Sequence, residues 1–114
     1  MITDKVNSFE DACQVLNIDK DKVFDSNLDS ANDIAFKKLK VIVKALNEGW
    51  YPNWENQNEN KYWVWWKMKD GFSYINAAYY TAITSVPSAL CFKNSGLAVH
   101  ASKIAYEEYK EYYS

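Results

Sequence analysis

Lys61-Tyr62-Trp63-Val64-Trp65-Trp66-Lys67-Met68-Lys69-Asp70-Gly71-Phe72, continuing through Tyr80, is the stretch from which the architecture is read. Lys61 to Lys69 is rich in Tyr, Trp and Val, the residues that suit a pleated, half-buried surface. Asp70 and Gly71 are a strong hairpin signal, and Phe72 to Tyr80 resumes the aromatic pattern. The expectation is a β-hairpin turning at Asp70 and Gly71. Alternation in a regular strand puts Tyr62, Val64 and Trp66 on one face and Lys61, Trp63, Trp65 and Lys67 on the other. Both faces are aromatic, so either Trp50, Trp54 and their loop cover the second face or it is a patch that meets something.

Outward from the hairpin the pattern turns helical. Upstream, Ala35, Leu39, Ile42 and Leu46 recur at helical spacing and predict a helix capped at Asn32 or Asp33 and running to Asn47, with Gly49 as its stop. Lys37, Lys40 and Lys44 form its wet side. Trp50, Tyr51, Pro52 and Trp54 follow, and Glu55 to Asn60 is a polar run read as an exposed connection. Downstream, Val86 to Phe92 reads as a third strand, at an edge because Pro87 lacks an amide proton. A last helix is expected from Asn94 or Ser95, with Leu97, Ala101, Ile104, Ala105, Glu108 and Tyr112 on one side and Tyr106, Tyr109 and Tyr113 on its flank. Near the start, Ser8 and Asp11 resemble a capping box for a short helix ending near Asn17, followed by a polar stretch from Asp19 to Asp33. The fold class is therefore α+β, a three-stranded antiparallel sheet with helices packed on one face. A single domain spans residues 1–114, with residues 1–33 loosely attached.

Composition narrows the chemistry. The chain has 114 residues, 13 Lys and no Arg, so bidentate reading of guanine edges is disfavoured. Residues 1–33 carry eight acids and three lysines, 34–105 nine lysines and four acids, and 106–114 three acids and one lysine. The mildly basic middle holds the hairpin. Cys13 and Cys91 are far apart, no CxxC is present, and His100 is the single histidine, which argues against a metal site or a disulfide framework. No signal peptide or 18-residue apolar stretch is evident, so a cytosolic protein with no membrane partner is expected.

Catalytic constellations are sparse. A nucleophile needs a base within hydrogen-bond reach, and His100 with Cys91 or Ser102 is the local candidate. A boundary histidine on the last helix is the simpler reading. Glu48, Glu55 and Glu59 are the acids near the tryptophans, two of them in the polar loop. Gly49, Gly71 and Gly96 stand singly at structural stops and build no phosphate cradle. A non-enzyme without cofactor is expected.

The tryptophan-rich face supports three readings. Trp and Tyr fill a small core efficiently, each burying about 150–250 Å². They also anchor protein interfaces, and lysine-flanked rings suit single-stranded nucleic acid, whose bases stack on them for about 1–3 kcal/mol each. The candidate partner-binding residues are Trp50, Trp54, Lys61, Trp63, Trp65 and Lys67.

Ala45-Leu46-Asn47-Glu48-Gly49-Trp50, then Pro52, Trp54 and Lys61-Tyr62, followed by Leu90-Cys91-Phe92-Lys93, Ser95 and Leu97-Ala98, resemble a family of small, mostly uncharacterised proteins from phages and mobile elements of Bacteroidota bacteria. The resemblance covers roughly residues 34–112. Val64 stands where a proline is common in that family, and Asn94 and Gly96 replace more helix-like residues. It implies no enzyme activity and no defined binding residues. It implies an accessory protein that binds a host or phage protein or nucleoprotein complex, as an anti-CRISPR-like inhibitor does, with direct single-stranded nucleic-acid binding as the alternative.

Overall fold

In the computed structural model, which describes residues 1–114, the three longest helices begin where a side chain takes up an orphan amide. Helix α1 is a single turn, Ile2–Lys5, that the sequence pattern does not announce. Helix α2, Phe9–Leu16, starts at Ser8, whose hydroxyl accepts from the Asp11 amide at 3.1 Å, and ends on Asn17 in the left-handed region. Helix α3, Ala31–Asn47, begins two to three residues earlier than its apolar spacing suggested. Ser30 is the cap: its hydroxyl accepts from the Asp33 amide while the Asp33 carboxylate accepts from the Ser30 amide, a reciprocal capping box. Glu48 and Gly49, at φ 49° and 91°, together end the helix.

The hairpin forms where expected. Strand β1, Lys61–Lys67, pairs antiparallel with β2, Ser73–Tyr80, and Asp70 and Gly71 supply the two positive φ angles of the turn. Trp65 lies opposite Asn76 and Trp66 opposite Tyr74, so Ile75 is the extra residue of a β-bulge.

The third strand expected at Val86–Phe92 is not formed; the sheet has two strands. Pro87 instead leads into a 3-10 turn, Ser88–Leu90, and only Phe92 bridges to Tyr62, exchanging bonds of 3.0 and 2.7 Å. The residues flanking Phe92 are satisfied by a side chain. The Asn47 amide donates to the Cys91 carbonyl at 2.9 Å and accepts from the Lys93 amide at 3.1 Å, standing in for a neighbouring strand.

The single C-terminal helix is instead two. Helix α4, Ser95–Ile104, is capped by Asn94, and α5, Tyr106–Tyr112, follows a kink at Ala105. The Ala105 amide still bonds to Ala101 and the Tyr109 amide to Ala105, so the helical hydrogen bonds run through the bend.

Leu39, Ile42, Val43 and Leu46 of α3 meet Leu97, Ala98, Ala101 and Tyr109 of α4 and α5, with Val64 and Trp66 of β1 closing the core. Trp66 stacks on Phe72 at 4.4 Å and lies 5.1 Å from Tyr109. Of residues 1–33, Val6, Phe9, Ala12 and Cys13 belong to this same core. The polar stretch before α3 is held to it by Lys37, whose ammonium lies 2.7 Å from the Asp29 carboxylate.

Candidate interaction surface

Lys61, placed by alternation on the outer face, is wholly buried, with 0% exposure. Its ammonium donates to the carbonyls of Asn56 and Thr81, both at 2.8 Å, lies 3.5 Å from Glu59 and sits over the Trp54 ring. A buried charge is tolerated only with such a full set of partners. Glu59 completes the arrangement by accepting from the Trp50 indole at 3.2 Å and the Asn53 amide at 2.8 Å. The Trp54 indole donates to the Ser88 hydroxyl at 2.8 Å. The polar connection from Trp50 to Asn60 thus has an ionic anchor beside its buried Pro52 and half-buried tryptophans.

These contacts sort the six candidate residues. Lys61 and Trp63, the latter 4% exposed and 4.9 Å from the Tyr80 ring, are structural and do not offer themselves to a partner. Trp50 and Trp54 are half-buried struts of the loop. Trp65, 57% exposed, and Lys67 remain open. The outer face of β1 is therefore covered at Lys61 and Trp63 and bare at Trp65.

Further exposed apolar side chains lie on both faces of the hairpin and beyond it, at positions that alternation along β1 did not reveal. Met68, Tyr74, Ile75, Tyr79, Tyr80 and Ile83 are all exposed. One signal marks them in the sequence: no charged residue occurs from Gly71 to Phe92. In a chain where a quarter of the residues are charged, a run of that length is a local feature, and it contains the whole of β2. Lys67 and Lys69 stand at the hairpin tip, which leaves β2 itself neutral.

The residues considered for catalysis are not assembled. The His100 ring nitrogen Nε2 lies 2.7 Å from the Val6 carbonyl, tying α4 to the segment after α1. The Ser102 hydroxyl donates to Val99 at 2.6 Å. Burial pushes the Cys91 thiol up to about 11 against the pull of Thr84 and Lys61, which leaves it protonated at neutral pH. No group of three or more His, Cys, Asp or Glu is placed to hold a metal ion, and no helix is long and apolar enough to cross a membrane. A shallow cavity of about 340 Å³ lies beside α3, with Lys40, Lys44, Trp50 and Tyr51 in its wall.

No protein family, curated protein or solved structure matches this chain.

Proposed function

We propose that this is a non-enzymatic binding protein that meets a protein partner through the bare half of its hairpin, with Trp65 as the anchor and Lys67 and Lys69 as electrostatic guides. The observation that supports this reading is Trp65, 57% exposed, beside the exposed Met68 at the open end of β1. A rigid, amphipathic tryptophan is a frequent energetic centre of a protein interface. The resemblance to phage and mobile-element proteins makes a host defence or nucleoprotein complex the target class, with the chain as an anti-CRISPR-like inhibitor acting in the host cytosol.

The nucleic-acid alternative keeps less support. Stacked bases need phosphate partners close by, and Lys61 is spent inside the fold while β2 carries no charge.

The test expresses the chain in a bacterium with active CRISPR immunity, challenged by a targeted phage. Plaquing is expected to rise with the natural chain and to return to baseline with Trp65→Ser, whose circular dichroism stays native because Trp65 is outside the core. Unchanged plaquing with the natural chain counts against the inhibitor reading. Quenching of tryptophan fluorescence by a single-stranded oligonucleotide, steeply weakened by salt, would favour the alternative.

A further inference from the structure

We propose that the outer edge of β2 pairs with the same edge of a second copy of this chain, joining two hairpins into one four-stranded antiparallel sheet. This does not depend on which partner Trp65 meets.

Tyr62 exchanges both of its hydrogen bonds with Phe92, so its amide and carbonyl point away from β2. In an antiparallel ladder its opposite residue, Tyr79, then points its own groups away from β1, and so does Ala77 two residues earlier. Apart from the ladder with β1, no hydrogen bond within the chain reaches any residue from Ser73 to Tyr80. An open edge of this kind is a template for another strand unless the protein blunts it. Lysines, prolines and inward charges are absent from β2. Its one protective device is the bulge at Ile75, which leaves Asn76 to Tyr80 regular.

Charge and shape select a second copy. A two-fold axis sets each residue of the strand against the same set, so any charge in β2 would face its like. β2 has none. With the axis at Ala78, Ala77 lies opposite Tyr79 of the second copy and Asn76 opposite its Tyr80, so each large ring faces a small or slender side chain. Two Ala77–Tyr79 pairs then close four main-chain hydrogen bonds, and two alanines meet at the axis where neighbouring chains come nearest.

The area is adequate. Tyr74, Ile75, Tyr79, Tyr80 and Ile83 are about half exposed. At roughly 200 Å² per side chain they offer on the order of 500 Å² before the main chain is counted. That approaches the roughly 600–800 Å² per partner of a specific interface. The contact uses up the free edge of β2 in both copies, so it closes at two.

The test is the mass of the full chain in solution, by light scattering after gel filtration and by sedimentation equilibrium, up to about 100 μM, a range that captures micromolar dissociation constants. A dimer of twice 13.3 kDa is expected. Ala77→Pro removes an outward amide, and Tyr79→Lys places like charges near the axis. Each is expected to raise the dissociation constant by tenfold or more, the factor that corresponds to about 1.4 kcal/mol. Ala78→Cys is expected to form an intermolecular disulfide under mild oxidation, whereas Ser73→Cys does not, because only the axial pair comes within the Cα separation of about 4.4–6.8 Å that a disulfide needs. The native Cys13 and Cys91 are buried and do not compete. Circular dichroism accompanies each variant, and should Ala77→Pro unfold, Tyr79→Lys and Ala78→Cys decide. A monomer throughout, a dimer indifferent to these substitutions, equal cross-linking of Ser73→Cys, or an open series of larger species would each overturn the proposal.

Discussion

The ammonium of Lys61 lies 3.5 Å from the Glu59 carboxylate with its side chain entirely out of water, and this ion pair joins the start of β1 to the loop that shields it. Because Lys61 also donates to Asn56 and Thr81, one side chain holds together the segment before β1 and the segment after β2.

Lys61→Met keeps the bulk of the side chain and removes its charge, leaving two carbonyls and a carboxylate without their donor. Breaking a buried pair on one side costs about 3–5 kcal/mol. Glu59 retains some contact with water, so about 3 kcal/mol is expected here. Thermal unfolding should shift down by roughly 10 °C for a chain of this length. Adding Glu59→Gln should recover part of the loss, since the uncompensated charge goes with it. A Lys61→Met protein within about 0.5 kcal/mol of the natural chain in urea unfolding would show that the ammonium does not hold the loop.

Two glutamates are expected to respond to pH in opposite directions. Burial works to raise the Glu59 carboxyl, but the Asn53 amide, the Trp50 indole and Lys61 outweigh it and hold the group below its ordinary value of 4.5. Its contribution to stability is present above that value and is lost as pH falls through the lowered one. Burial raises Glu108, with Glu10 and Glu107 adding to the effect against the pull of Lys38. One of its carboxyl oxygens is buried without a hydrogen-bond partner. The folded chain keeps the Glu108 proton after the unfolded chain has lost it, so stability falls as pH rises from 4.5 through the raised value. Chemical unfolding from pH 3 to pH 8 should therefore find Glu59→Gln weaker than the natural chain only at the upper end. Glu108→Gln should be stronger there, with the advantage fading in acid. Parallel curves for all three proteins would mean that neither environment perturbs its carboxyl.

What was legible in the sequence was local. The turn at Asp70 and Gly71 and the caps at Ser8 and Asn94 are each fixed by a few adjacent residues, and the apolar stripe of α3 repeats often enough to need no context. What was not legible depends on distant partners. Lys61 looked like a surface guide because lysines usually are, and only the carbonyls of Asn56 and Thr81 make it an interior residue. Trp63 and Trp65 occupy equivalent positions in the alternation, yet one is covered and the other bare. The open surface of β2 contains no tryptophan, and its mark in the sequence is an absence, the uncharged run from Gly71 to Phe92.

Val86 to Phe92 fails as a strand for a reason that can be tested at Asn47. This residue ends α3, is 3% exposed, and spends its amide on the main chain either side of Phe92. Asn47→Ala leaves the buried Cys91 carbonyl and the part-buried Lys93 amide without partners, at about 1–3 kcal/mol each, so a loss of about 3 kcal/mol is expected. Asn47→Asp keeps an acceptor for the Lys93 amide but sets a carboxylate oxygen against the Cys91 carbonyl, and it should fare no better. The distinguishing measurement is hydrogen exchange at single residues. In Asn47→Ala the Lys93 amide should lose its protection by more than the global loss of stability accounts for, while the Phe92 amide, bonded to Tyr62, follows the global change. Equal changes at Lys93 and Phe92 would mean that Asn47 contributes only to the packing at the end of α3 and does not replace the missing strand.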